Sequence, residues 1–235
     1  MHQPEIVFIL FKPAVPGNVG ASARALKTMG FRELRLIDPC DHLSAEALML
    51  AHGAHEILRE ARVFPGYDEA TAGLDLVICT TAKQRSAKVD YISVKDLPGL
   101  IRAKGNTLKR IGILFGTEES GLPNELIRRS DLAMTIPLAT AFPSLNLSQA
   151  VMITAYELSG IEAGAVETED AGAGVQGWKE LKDRVDLMLN ESGIPEGSPL
   201  YHRIMERMAR LGETDIHLLH SVTSRLLKYF PDKEE

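Results

Sequence analysis

Polar residues that could position a substrate follow three separate apolar segments of the chain. The first segment, Glu5–Phe11, is followed by Asn18 and, six residues later, by Arg24. A primary amide donates and accepts hydrogen bonds, and a guanidinium presents a planar fork of donors that suits phosphate. This pair could therefore hold an anionic or hydroxylated substrate. The simpler interpretation is that Asn18 caps a helix and that Arg24 is a solvated side chain.

A carboxylate bracketed by glycines follows the second segment, Arg110–Phe115. Glu118 lies between Gly116 and Gly121, so the backbone of this loop could approach a ligand closely. The loop has neither the Gly-Lys-Ser/Thr ending of a triphosphate-binding loop nor the glycine spacing of a dinucleotide-binding one. Binding of those two ligand classes is therefore not indicated, and a simple turn is the alternative.

The third stretch begins at Pro137 and continues through Pro143, Ser144 and Asn146. A hydroxyl and an amide two residues apart could hold a ligand in place. The same residues would also start a helix well without any further role. Each of the three stretches is thus ambiguous when it is considered alone.

Short apolar strands and helices alternate along the part of the chain that carries these stretches. The predicted strands are Glu5–Phe11, Leu34–Ile37, Asp75–Thr80, Arg110–Phe115 and Ala133–Ile136. The predicted helices are Asn18–Met29, one capped by Ser44, and Asn146–Ile161. This alternation predicts an α/β fold with a parallel sheet and helices on both faces. Ligands of such sheets bind beyond the carboxyl ends of the strands, so the three stretches are expected to meet there.

The chain divides by composition into a larger first part and a smaller helical extension. Residues 162–177 are rich in Gly, Ala and acidic residues without periodicity, which is typical of a linker. Apolar residues at helical spacing then predict three helices, at Trp178–Asn190, Pro199–Arg210 and Thr214–Tyr229. The expected organisation is a domain at 1–161, a linker at 162–177 and an extension at 178–235.

Charge is distributed unevenly between these parts. Residues 1–160 carry 17 Lys+Arg and 17 Asp+Glu, whereas residues 161–235 carry 9 and 15, which accounts for the net charge of −6. A protein that binds nucleic acid over its whole surface is not indicated, and a phosphate-binding surface would be local to the first part.

Cys40 and Cys79, outside any CxxC pair, are expected to be free thiols in a reducing compartment. Neither a membrane span nor an export signal is recognised, so a cytoplasmic location is expected.

Together, in this order, the three stretches resemble the signature motifs of the SpoU/TrmH branch of the SPOUT methyltransferases over about residues 5–160. Within that branch, Ala25–Phe31, Ala51–Ala54 and Thr80–Lys83 resemble the TrmJ-like and LasT-like subgroup. Thr117 departs from that subgroup's pattern, which usually has Arg at this position.

The resemblance implies a trefoil knot at the carboxyl end of the sheet, a homodimer, and S-adenosylmethionine as cofactor without a metal. It implies an RNA 2′-O-ribose methyltransferase that acts on tRNA, in the anticodon loop, or on rRNA. The residues that it assigns to catalysis are Asn18, Arg24, Ser144 and Asn146. Those assigned to the cofactor are Thr80, Thr81, Ala82, Gly116, Thr117, Glu118, Gly121, Ile136, Pro137, Leu138, Ser144, Leu145 and Asn146. Those assigned to RNA are Arg24, Lys83, Arg85 and Lys88.

The residue types suit a transfer that depends on alignment and charge. A ribose hydroxyl must lie behind a sulfonium methyl, and it loses its proton as the bond forms. Arg24 is expected to stabilise the developing alkoxide rather than to act as base, because a guanidinium is a very weak base. Glu118 could bind backbone donors or position substrate.

The rival hypotheses are a non-catalytic knotted RNA-binding protein and a methyltransferase that modifies a base. His217 and His220 are expected at the surface.

Overall fold

The computed structural model describes residues 4–82, 91–139, 145–162 and 177–229, and within these ranges seven parallel strands form one sheet. The strands are β1 (Glu5–Phe11), β2 (Glu33–Ile37), β3 (Arg62–Phe64), β4 (Leu76–Thr80), β5 (Tyr91–Ser93), β6 (Arg110–Phe115) and β7 (Leu132–Thr135). Their order across the sheet is β3-β2-β1-β6-β4-β7-β5. Every neighbouring pair is parallel, which confirms the predicted sheet type.

Helices connect and cover these strands. They are α1 (Pro16–Thr28), α2 (Ala45–Leu50), α3 (His55–Glu60), α4 (Tyr67–Thr71), α5 (Leu97–Ala103), α6 (Asn124–Arg129), α7 (Leu147–Glu162), α8 (Trp178–Glu191), α9 (Pro199–Met208) and α10 (Glu213–Leu226). Short 3₁₀ turns occupy 94–96, 105–107 and 227–229. Among the described residues, none of these helices is long and apolar enough to cross a membrane.

The central strands are apolar because both faces of the sheet are covered. Alternate residues of β1 enter different hydrophobic clusters: Phe8 and Leu10 join the one that contains α1 and α7 residues, and Val7 and Ile9 join the other. Side chains alternate across a strand, so a strand buried on both sides reads as a continuous apolar run. This confirms the prediction of helices on both faces.

The amino end of α1 differs from its prediction. The helix begins at Pro16, a favourable first position because proline has the required φ and no N–H to satisfy. The N-cap is Val15, which makes no side-chain capping bond. The interpretation of Asn18 as the cap is therefore wrong, and its side chain is available for another contact. Gly20 is needed further along the helix, since a Cβ there would lie 2.1 Å from the Ala47 carbonyl oxygen.

The three C-terminal helices pack onto the sheet domain through buried residues. Trp178, at the start of α8, is fully buried and belongs to the same hydrophobic cluster as β1 and α7. Lys104 is also buried, with Nζ 4.2 Å from the centre of the Trp178 ring and 3.2 Å from the Leu211 carbonyl oxygen that it donates to. Burial lowers the pKa of Lys104 to about 8. His220 is buried as well, 3.1 Å from the Gly177 carbonyl oxygen, so its predicted surface position is wrong.

Candidate functional site

The strand order brings the three polar stretches to one edge of the sheet. β1 and β6 are hydrogen-bonded neighbours, and β4 and β7 follow β6 across the sheet. Because all strands are parallel, their carboxyl ends meet at the same edge. The stretches that follow β1, β6 and β7 therefore start close together, as the sequence predicts.

Glu118 ties the stretch after β6 to the stretch after β1. Its Oε2 accepts a hydrogen bond from the Ala14 N–H at 3.0 Å, and its Oε1 accepts one from the Val15 N–H at 3.2 Å. The same Oε1 accepts a third bond from Asn18 Nδ2 at 2.9 Å. Partial burial alone would raise the pKa of Glu118, but these donors outweigh it and hold the pKa below the ordinary value. Glu118 is therefore an ionised anchor at neutral pH.

Asn18 joins Glu118 to the third stretch. Its side chain is almost buried, with 9% of its surface exposed, and its Oδ1 accepts a bond from Asn146 Nδ2 at 2.8 Å. Both ends of the Asn18 amide are thus bonded, one to Glu118 and one to Asn146. Residues 100 and 128 positions apart in the chain form one hydrogen-bonded set, which we call the Asn18–Glu118–Asn146 set. It connects all three sequence stretches.

Asn146 also starts α7, as the alternative interpretation of its stretch predicted. Its Oδ1 accepts bonds from the Ser148 N–H at 2.9 Å and from the Ser148 hydroxyl at 2.7 Å. Gln149 Oε1 accepts a bond from the Asn146 N–H at 3.0 Å, which completes a reciprocal capping arrangement. The structural role and the contact with Asn18 therefore coexist, and the helix start fixes the amide that reaches Asn18.

Arg24 lies on α1 but outside the Asn18–Glu118–Asn146 set. Six residues along a helix correspond to about 240° of rotation, so the side chains of Asn18 and Arg24 leave α1 in different directions. Arg24 is exposed, and among the described residues its guanidinium has no ion-pair or hydrogen-bond partner. Within the described part of the chain, this guanidinium is therefore accessible to a ligand.

The residues predicted to hold a cofactor follow β4, β6 and β7. The Thr80 hydroxyl donates to the Leu114 carbonyl oxygen at 3.1 Å, and the Thr81 N–H donates to the Met134 carbonyl oxygen at 2.9 Å. These bonds hold the end of β4 between β6 and β7. Ala82, Pro137 and Leu138 are exposed, and Thr81, Ile136 and Leu145 are half-buried.

The loop after β6 is closed on itself. Thr117 and Gly121 exchange backbone hydrogen bonds of 3.2 and 3.1 Å, and the Thr117 hydroxyl lies 3.1 Å from the Ser120 hydroxyl. A Cβ on Gly116 would lie 2.2 Å from the Gly121 carbonyl carbon, so only glycine fits at position 116. This tight loop places Glu118 where it meets the backbone after β1.

Four of the predicted site residues lie outside the described residues: Lys83, Arg85, Lys88 and Ser144. The sequence analysis in turn missed the N–H groups of Ala14 and Val15 and the side chain of Gln149. Backbone donors in a loop have no residue-type signature. Gln149, three residues after Asn146, does carry one, because this spacing is that of a capping box.

The chain is similar to known methyltransferases. Residues 5–156 match the model of the SpoU rRNA methylase family, and residues 175–230 match that of the tRNA/rRNA methyltransferase LasT C-terminal domain. The uncharacterized tRNA/rRNA methyltransferase LasT of Escherichia coli K12 is 33% identical over 215 residues, which cover 92% of this chain and 94% of LasT.

Two further comparisons carry the name TrmJ. The tRNA (cytidine-2′-O-)-methyltransferase TrmJ of Methanocaldococcus jannaschii is 40% identical over 157 residues, 65% of this chain and 66% of that protein. The crystal structure of TrmJ from Z. mobilis ZM4 has a TM-score of 0.63 and 29% identity, and it covers 94% of this chain and 98% of its own. The similarity therefore extends over the sheet domain and the C-terminal helices alike.

Proposed function

The chain belongs to the SpoU rRNA methylase family, and we propose that it methylates the ribose 2′-hydroxyl of RNA with S-adenosylmethionine as donor. The observation that carries this proposal is the Asn18–Glu118–Asn146 set, because it joins the three stretches that the family shares into one structure. The names of the relatives favour tRNA as the substrate, with rRNA as the alternative. The anticodon loop is the region of tRNA that we propose.

The edge formed by β6, β4 and β7 suits adenosylmethionine. Leu138 is 37% exposed and follows the half-buried Ile136, so apolar surface is available there for an adenine ring. The closed loop at Gly116 brings backbone groups to the same edge, and ionised Glu118 supplies a negative charge that suits a sulfonium cation. When it is bound, the cofactor supplies an electrophilic methyl group. The residues that would hold it are those after β4, β6 and β7, together with Leu145 and Ser144.

The residues of this chain contribute alignment and charge. The Asn18–Glu118–Asn146 set fixes two amide side chains by hydrogen bonds of 2.8 and 2.9 Å, so their positions do not have to be ordered during the reaction. Arg24 is free to approach the RNA, where its charge favours the alkoxide that develops on the ribose oxygen. The proton then leaves to water or to a phosphate oxygen rather than to Arg24, because a guanidinium is a very weak base.

A trefoil knot and a homodimer are part of the same proposal. β4 lies between β6 and β7 in the sheet, and Asn146, beyond β7 in the chain, contacts Asn18 on α1; this arrangement supports the knot. On α7, Met152 and Tyr156 are exposed one turn apart, and Val15 is exposed before α1, the helix that packs on α7. Exposed apolar side chains on elements that pack together support an interface with a second copy.

We propose a methyltransferase domain at 1–161, a linker at 162–177 and an extension at 178–235, and a cytoplasmic enzyme. The two matched models cover 5–156 and 175–230, which supports a boundary between them.

Transfer of a radiolabelled methyl group to purified bulk tRNA and to ribosomal RNA tests the proposal. We expect incorporation into tRNA without added metal, and adenosylmethionine binding in calorimetry. Binding without transfer to either RNA would favour the non-catalytic hypothesis. Incorporation into ribosomal RNA alone would correct the substrate and leave the reaction unchanged.

A further inference from the structure

Two residues that carry side chains adopt left-handed backbone conformations at the carboxyl edge of the sheet. Lys12 has φ +46° and directly follows β1; Asp38 has φ +44° and directly follows β2, the neighbouring strand. Among the described residues, no other non-glycine residue has a positive φ. This region is sterically unfavourable for residues with a Cβ, and lysine lacks the short polar side chain that helps aspartate to tolerate it.

Backbone hydrogen bonds hold both residues in this conformation. The Lys12 N–H donates to the Ile37 carbonyl oxygen at 2.8 Å, and the Asp38 N–H donates to the Phe64 carbonyl oxygen at 3.1 Å. Lys12 Nζ lies 3.1 Å from Asp38 Oδ2, so the two side chains form an ion pair across the ends of β1 and β2.

The ion pair between Lys12 and Asp38 contributes little to the stability of the fold. The Lys12 and Asp38 side chains are 52% and 64% exposed, and water screens ion pairs of such exposure so strongly that they contribute little. Residues held in an unfavourable backbone conformation are typical of positions that bind a ligand.

The strand order indicates which ligand lies nearby. β1 separates β2 from β6, so the ion pair lies on one side of the end of β1, while Glu118 reaches Ala14 and Val15 from the other. The stretches assigned to the cofactor follow β6, β4 and β7, on the Glu118 side. The ends of β1 and β2 therefore lie beside the cofactor stretches, on the other side of Glu118, where the RNA strand next to the reacting ribose can lie.

We infer that Lys12 binds a backbone phosphate of the substrate RNA, and that Asp38 holds the ammonium group until the phosphate replaces it. The inference deepens the proposed function and rests on it. The lysine ammonium group is a compact charge on a flexible side chain, which suits a phosphate better than the edge of a particular base. Every RNA sequence presents such phosphates. Lys12 lies outside the three signature stretches, in the loop that Glu118 anchors.

The salt dependence of RNA binding tests this inference. The Kd for bulk tRNA is measured at salt concentrations between about 0.05 and 0.5 M. The salt concentration is varied because each phosphate contact releases a counterion, so the Kd depends on salt. Lys12→Ala should reduce the slope of log Kd against log salt by about 0.7 to 0.9, and weaken binding about fivefold to eightfold at 0.1 M. The matched control is Lys109→Ala, an exposed lysine before β6 at the opposite edge, which should change neither quantity.

Two further variants separate the phosphate contact from a structural role. Lys12→Gly suits a positive φ, so it should unfold no more readily than wild type and still weaken RNA binding as Lys12→Ala does. Asp38→Asn breaks the same ion pair but retains Lys12, so it should bind tRNA at least as tightly as wild type. If Asp38→Asn and Lys12→Ala weaken binding equally, or if Lys12→Ala retains the wild-type slope, the inference is wrong.

Failure of the proposed function would look different. In that case wild-type protein binds tRNA with a slope that depends on Lys12 but transfers no methyl group to it. If instead wild type methylates tRNA and Lys12→Ala has an unchanged slope, the reaction stands and the role of Lys12 does not.

Discussion

Replacement of Glu118 by glutamine tests the anchor of the site with an almost isosteric change. The carboxylate accepts three hydrogen bonds, from the N–H groups of Ala14 and Val15 and from Asn18 Nδ2. A glutamine side chain has only one oxygen, and its NH₂ group cannot accept. In either orientation of the amide, at least one of the three donors therefore faces another donor.

The expected destabilisation follows from that lost acceptor. Leaving a donor unsatisfied costs about 1–3 kcal/mol, and because Glu118 is only partly buried we expect about 1–2 kcal/mol. For a chain of this length this corresponds to a decrease in Tm of roughly 2–8 °C. Turnover should decrease about 100-fold if Asn18 is displaced by about 1 Å.

The pH dependence gives the effect a second signature. The pKa of Glu118 in the folded protein is below its ordinary value of 4.5, so its carboxylate stabilises the fold above that pH and less so as the pH falls. The difference in unfolding free energy between wild type and Glu118→Gln should therefore shrink below pH 4.5. Glu119→Gln, an exposed neighbour, is the matched control. Equal thermal stability of the two variants at neutral pH would refute the anchor role.

Three other substitutions test separate parts of the structure. Arg24→Ala should lower the rate of single-turnover methyl transfer about 100-fold, or about 3 kcal/mol, and should retain the affinity for adenosylmethionine. Arg24→Lys should restore little of the rate. Equal rates in wild type and Arg24→Ala would remove Arg24 from the mechanism. Gly116→Ala should weaken adenosylmethionine binding at least tenfold in calorimetry because its Cβ has no space, whereas Gly99→Ala, which meets nothing within 4 Å, should not. Lys104 has a folded pKa of about 8 against an ordinary 10.5, so its own contribution to stability becomes more favourable between those pH values. In denaturant unfolding, the unfolding free energy of wild type relative to Lys104→Met should therefore rise from pH 8 to pH 10.5, whereas relative to exposed Lys109→Met it should stay constant.

Long apolar runs made the centre of the fold predictable. β1 and β6 occupy the predicted residues, because a strand buried on both faces shows itself as an uninterrupted apolar segment. β3 and β5 escaped prediction. Each has three residues, and in β3 Arg62 and Val63 are exposed, so pairing with β2 rather than composition determines that strand. The short helices α3 to α6 also escaped prediction, because five to seven residues carry too little periodicity to indicate a helix.

The site was predictable as a set of residues and not as a set of contacts. The resemblance selected Asn18, Glu118 and Asn146, which the structure joins by hydrogen bonds. The sequence analysis left open whether Glu118 binds backbone donors or positions substrate. In the structure, its partners in the loop after β1 are backbone N–H groups, which no sequence pattern reveals. His220 was assigned to the surface because no set of carboxylate or thiol ligands accompanies it and His217 in the sequence, whereas packing against the start of α8 buries it.

Nucleoside mass spectrometry of tRNA treated with the protein and a methyl-deuterated donor tests the central claim most directly. The claim predicts deuterium in 2′-O-methylribose, in wild type and far less in Asn146→Ala, whose amide no longer reaches Asn18. Deuterium on a methylated base, with none on ribose, would contradict it.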